Sequence, residues 1–136
     1  MEKIDVVNKQ LELFEEFSGG VLGINAIHIE TGKQISYKAD TDFLMCSTYK
    51  LPMAIYLLHL AEKKQLNLDE FYLLREVDKR SGISSTLNDF DCQKEVPISY
   101  RNLLLMMLRE SCNTSTDIIL RKIGGPNSVT NYIRDI

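Results

Sequence analysis

The sequence predicts an α+β protein, with a strand hairpin near the N-terminus followed by a long run of helices. Three observations carry that expectation. Residues 21–29 and 34–39 are rich in β-branched residues and flank the turn Glu30-Thr31-Gly32-Lys33, which predicts a hairpin. Residues 3–17 place Ile4, Val7, Leu11 and Phe14 at helical spacing, with Glu12, Glu15 and Glu16 mostly off that face. From residue 48 onward the apolar pattern is helical almost throughout.

Each later segment has its own signal. Residues 48–64 are apolar nearly all round (Leu51, Met53, Ala54, Ile55, Leu57, Leu58), which predicts a core helix. Residues 66–98 mix Gly, Ser, Asn and Asp and predict a long irregular connection with short helical pieces. Ser99 reads as an N-cap, with Ile98 and Leu103 placed as a hydrophobic staple, and that helix runs to about Glu110. A helix over about 114–123 ends at Gly124-Gly125, and Pro126 suits the first turn of a last one. The expected organisation is helix plus hairpin over 1–40 and a helical subdomain over 41–136, together part of one domain. A lone hairpin is marginal in water, so the inventory predicts the opening of a larger protein whose C-terminal strands are missing from these residues.

Composition narrows the function. With 44% hydrophobic and 26% charged residues the chain is not intrinsically disordered. A net charge of −3 without a basic block argues against nucleic acid as a partner. The longest uncharged apolar run, Leu51 to Leu58, is far short of the ~20 residues of a membrane span. Met1-Glu2-Lys3-Ile4-Asp5 has charge where a signal peptide needs an apolar core, so no signal is expected at this start. Cys46, Cys92 and Cys112 lack C-x-x-C spacing; no zinc site is expected, at most one bridge can form, and no metal or cofactor is implied.

The chemistry concentrates in two short motifs. Ser47-Thr48-Tyr49-Lys50 is an S-x-x-K at the start of the apolar helix, where unpaired N–H groups and the helix dipole favour negative charge. Lys50 lies one turn on from Ser47 and is the only charge between Asp42 and Glu62; an apolar setting lowers an amine's pKa and prepares it to take a proton from serine. Ser111-Cys112-Asn113 is an S-x-N at a helix break, offering a hydroxyl that relays a proton and an amide that holds a substrate. Alone, each motif is more simply a cap, a snorkelling lysine or a local turn. His28 and His59 supply no Ser-His-Asp triad and read as structural.

Together, Phe43-Leu-Met-Cys-Ser-Thr-Tyr-Lys-Leu-Pro52, Ser111-Cys-Asn-Thr114 and Ile123-Gly-Gly-Pro126 followed by Val129-Thr130 resemble the class A serine β-lactamases and related penicillin-binding proteins, whose set is S-x-x-K, S-D-N and K-T-G. The resemblance implies the β-lactamase/D,D-peptidase-like fold and a small-molecule β-lactam substrate. It implies Ser47 as acylated nucleophile with its own N–H in the oxyanion hole, and Lys50 as proton acceptor or relay. Ser111 would relay a proton to the lactam nitrogen, and Asn113 would contact Lys50 and the substrate side chain. Ser81-Gly82-Ile83 would lie on the site's rim. For the full protein it implies a monomeric, periplasmic or secreted enzyme.

Two features depart from the family. Cys112 stands where the family usually has Asp, and no K-T-G or Ω-loop glutamate follows Glu110. The expectation is therefore an N-terminal half of a hydrolase, inactive and poorly stable alone and prone to self-association through its open sheet edge. The alternative is a penicillin-binding, non-hydrolysing protein or an inactive remnant that only binds.

Overall fold

The computed structural model describes residues 3–80, 87 and 95–136. It forms two compact units, Met1–Leu44 and Met45–Ile136.

In the first unit, helix α1 (Lys3–Ser18) accompanies strands β1 (Ile24–Ile27) and β2 (Gln34–Tyr37), which pair antiparallel with Ile24 opposite Tyr37 and Ile27 opposite Gln34. Both strands are shorter than expected. Lys38 turns to a left-handed φ of +46°, which ends β2 and removes the partner that residues 21–23 would need. At Gly23 a Cβ would run into the Phe43 ring, which would have to shift to admit any side chain there. The expected apolar face of α1 is corrected at Phe14, which is 63% exposed. Glu15, expected off that face, turns inward. It accepts hydrogen bonds from Lys38 Nζ (2.7 Å), the Tyr37 hydroxyl (2.7 Å) and the Leu22 N–H (3.1 Å). Lys38 first and Tyr37 second hold its carboxyl down to about 2, and the same bond pushes the Tyr37 hydroxyl up to about 12. An ion pair with two further donors thus ties helix to hairpin where the hydrophobic pattern predicted an aromatic ring.

The second unit is largely helical. A 3₁₀ turn (Cys46–Tyr49) leads into α2 (Lys50–Glu62); α3 (Tyr100–Arg109), α4 (Asn113–Lys122) and α5 (Pro126–Asp135) follow. Pro52 is accommodated in the first turn of α2, where an N–H would have no helical carbonyl to reach. Ser99 caps α3 as expected, its Oγ accepting from the Asn102 N–H at 3.2 Å, with Ile98 and Leu103 both buried. The irregular connection contains one feature the sequence reading lacked. Strand β3 (Phe71–Leu74) pairs antiparallel with β4 (Val96–Ser99), so the helical subdomain carries a two-stranded ribbon. Pro97 lies inside β4, exposed, as suits a ribbon with free edges.

The core joins Met53, Ala54 and Leu57 of α2 to Leu103, Leu104 and Met107 of α3, Ile118 and Ile119 of α4 and Val129 of α5. Leu74, Leu87 and Ile98 close it. Helix α2 was expected to be covered on every side, but its packing partners cover only one. Leu51 (60%), Ile55 (40%) and Leu58 (47%) are exposed, as are Leu105 and Leu108 of α3. The Ser81-Gly82-Ile83 segment and Cys92 lie outside the described residues.

Candidate active site

Ser47 does not cap α2. Its residue sits inside the 3₁₀ turn, Tyr49 occupies the cap position, and no side chain caps the helix. The Ser47 hydroxyl instead meets the Ser111 hydroxyl at 2.9 Å. The preceding residue, Cys46, has a left-handed φ of +45°, so the chain turns sharply just before Ser47. Thr48 fastens the turn, its hydroxyl and N–H both donating to the Met45 carbonyl.

Lys50 follows as the first residue of α2 and is buried, at 3% exposure. Its Nζ lies 2.7 Å from the Ser111 carbonyl, 2.8 Å from Ser111 Oγ and 3.0 Å from Asn113 Oδ1. Ser111 can offer two acceptors to one amine because it sits at φ +55°, in the turn between α3 and α4, a conformation usually left to glycine at a helix end. The four residues singled out by the two motifs, Ser47, Lys50, Ser111 and Asn113, are therefore joined in one hydrogen-bonded group. It opens on a cleft of about 400 Å³ lined by Ser47, Lys50, Met107, Leu108 and Ser111. A larger cavity of about 470 Å³ lies on the α5 side. It is lined chiefly by Met45, Pro52, Met53, Leu120, Val129 and Ile133 and contains no nucleophile–base pair.

The contacts of Lys50 define its chemistry. Burial lowers its pKa, and Cys112 and Asp117 partly oppose that effect. A protonated amine has three N–H groups for three acceptors. A neutral amine has two, which suit the two groups that can only accept, the Ser111 carbonyl and Asn113 Oδ1. Its lone pair then faces Ser111 Oγ–H, the one donor in the set. The Ser47 hydroxyl does not touch the amine through any described hydrogen bond; Ser111 Oγ stands between them.

Helix α4 holds this turn in place. Cys112 is its N-cap: the buried thiol sulfur accepts from the Ser115 N–H at 3.5 Å, and the Cys112 carbonyl accepts from the Thr116 hydroxyl at 2.8 Å. The thiol thus caps α4 with a weaker acceptor than a carboxylate would offer. Thr114 Oγ1 accepts from the Arg80 N–H at 3.1 Å, and the Arg80 guanidinium pairs with Asp117. The sequence reading missed Arg80 and Asp117; the only trace of the latter was its place one helical turn beyond Asn113.

The chain as a whole has clear relatives among known proteins. Residues 6–136 match the model of the β-lactamase enzyme family. The chain belongs to that family. β-Lactamase CTX-M-97 of Escherichia coli is 33% identical over 132 residues, which are 96% of this chain and 43% of that protein. A β-lactamase of Proteus vulgaris is 30% identical, over 97% of this chain and 47% of its own length. Among solved structures, a β-lactamase from Burkholderia vietnamiensis superposes with a TM-score of 0.85 at 29% identity, covering 99% of this chain and 48% of that one. An ancestral class A β-lactamase gives 0.83 at 27% identity, over 95% and 48%. The match to class A serine β-lactamases holds along the whole chain, which spans about half the length of these relatives. Among the described residues no helix is long and apolar enough to cross a membrane, and no cluster of side chains could hold a metal ion.

One polar atom of this β-lactamase-family chain is poorly placed. Ser115 Oγ is buried without a hydrogen-bond partner among the described residues. Ser115→Ala removes that hydroxyl and improves helix propensity, so we expect a gain of about 0.5–2 kcal/mol in urea unfolding. A loss of stability would reveal a partner for the hydroxyl.

Proposed function

We propose that Ser47, Lys50, Ser111 and Asn113 form the acylation site of a class A serine β-lactamase, and that the substrate is a β-lactam amide. The observation that carries this reading is the hydrogen-bond chain from Ser47 Oγ through Ser111 Oγ to Lys50 Nζ. With Lys50 neutral, Ser47 Oγ attacks the lactam carbonyl carbon. Its proton passes to Ser111 as the Ser111 proton passes to Lys50. As the ring C–N bond breaks, the proton returns through Ser111 Oγ to the leaving nitrogen. The product is an ester on Ser47 and a neutral amine in the opened ring. The Ser47 N–H, in the 3₁₀ turn, supplies one donor to the oxyanion. Asn113 holds the amine in place through Oδ1 and offers its amide N–H₂ to the substrate side chain. This chain covers about half the length of the relatives, and we assign deacylation to groups in the part it does not cover. The same reading makes the full protein a periplasmic or secreted monomer.

The test is a time course of intact mass after mixing the full-length protein with benzylpenicillin. The expected result is an adduct of the whole penicillin mass that Ser47→Ala abolishes. Decay of the adduct with release of penicilloate marks a hydrolase, and a persistent adduct marks a non-hydrolysing penicillin-binding protein. An adduct that survives Ser47→Ala would refute the assignment.

A further inference from the structure

The segment from Met45 to Met53 borders two separate spaces. Ser47, Lys50 and Leu51 line the cleft already described, whereas Met45, Pro52 and Met53 line the cavity of about 470 Å³. The two share no lining residue. The opposite wall of the cavity is Leu120 of α4 with Val129 and Ile133 of α5. Val129 and Ile133 are one helical turn apart, and so are Thr130 and Arg134 in the row beside them. The α5 wall therefore passes from an apolar row to a polar edge. Arg134 is the one charged residue in the lining; it is exposed and makes no hydrogen bond or ion pair among the described residues. Met45 and Ile133 are exposed as well, so a molecule can enter from solvent.

We propose that this cavity is a binding site for an aliphatic monocarboxylate, whose chain fills the apolar part and whose carboxylate pairs with Arg134. The volume lies within the ~300–1,000 Å³ of small-molecule sites, and a mostly apolar lining with one placed charge is their usual chemistry. An alkyl chain seated between the two walls removes its own apolar surface and theirs from water. A guanidinium offers a carboxylate two parallel N–H donors. One guanidinium balances one negative charge, which favours a monocarboxylate over a doubly charged phosphate monoester. No carboxylate lines the cavity among the described residues, so nothing there repels the anion. With no nucleophile–base pair in the lining, the molecule is held and not transformed. The site uses neither Ser47 nor Lys50, so the proposal stands apart from the reading of the acylation site.

The experiment titrates octanoate into the full-length protein labelled with ¹³C-methyl-methionine and follows the methyl signals by NMR. Met45 and Met53 line the cavity and Met107 lines the cleft; each signal is assigned by its loss in the Met→Leu variant. The expected result is saturable one-to-one binding that moves Met45 and Met53 and leaves Met107 in place. Affinity should rise about 4-fold for each methylene added between butanoate and octanoate. Arg134→Gln should weaken octanoate about 3- to 10-fold and leave 1-octanol unchanged. Ile133→Trp should fill the cavity and abolish binding of both. If that variant does not fold, Met45→Trp, at an exposed lining residue and read through Met53, takes its place. A full-length protein with no saturable shift of Met45 and Met53 overturns the proposal, and that is also the result if another part of its chain occupies the cavity. Octanoate that moves Met107 instead, binds Arg134→Gln as tightly as wild type, or still binds the tryptophan variant overturns it equally.

Discussion

Lys50→Arg is expected to slow acylation of Ser47 by about 10²–10⁴-fold, the range that a positioned proton-transfer group contributes. A guanidinium keeps the positive charge and can still donate to the Ser111 carbonyl and Asn113 Oδ1, the two contacts that hold the turn. It cannot lose a proton near neutral pH, so no base remains at the end of the chain from Ser47. Its planar head is also larger than an ammonium and must enter a site where the present side chain is 3% exposed. The check is the single-turnover rate of adduct formation by quenched mass spectrometry, with a thermal melt to confirm folding. Acylation within a few-fold of wild type in a folded variant would remove Lys50 from proton transfer.

Ser111→Ala should be nearly as damaging. It deletes the hydroxyl between Ser47 Oγ and Lys50 Nζ, at 2.9 and 2.8 Å from each, which in the proposed mechanism also returns the proton to the lactam nitrogen. We expect about 10²–10³-fold slower acylation with the Lys50 contacts to the Ser111 carbonyl and Asn113 retained. Those contacts rest on the backbone at φ +55°, which alanine adopts at a cost of about 1–3 kcal/mol, as the serine already does. A water molecule filling the vacated space would restore part of the rate, and the remaining loss should be greatest with leaving nitrogens of high basicity. Unchanged acylation would mean that Ser47 passes its proton to Lys50 without Ser111.

Local signals in the sequence were sufficient where local physics decides structure. Ser99 caps α3 because its side chain can reach the Asn102 N–H three residues on. The end of α4 followed its glycines, and the start of α5 followed Pro126. The β3–β4 ribbon was not legible because its strands are far apart in the sequence, and because Pro97 argues against a strand. The inward turn of Glu15 was hidden for a related reason. Hydrophobic periodicity ranks a carboxylate as a surface group, and only the three-dimensional neighbours Lys38, Tyr37 and Leu22 make its position favourable.

The site followed the same division. Ser47 and Lys50 are one helical turn apart, so their proximity could be read from spacing. The contact with Ser111 and Asn113 spans more than 60 residues and came from resemblance, since nothing in S-x-N by itself says which helix the turn will face. The sequence around Lys50 holds no acid, which suggested a wholly apolar setting. In the fold the charge of Asp117, on α4, acts on the amine and partly opposes the effect of burial.

The most direct measurement is the location of the acyl group. The full-length protein is mixed with a small excess of penicillin, quenched in acid, digested, and the modified peptide sequenced by tandem mass spectrometry. The account predicts a single acylated residue, Ser47, within Cys46-Ser47-Thr48-Tyr49-Lys50. Acylation at Ser111, at a lysine amine, or at any other residue would contradict it, as would penicillin hydrolysis by a protein that never carries the adduct.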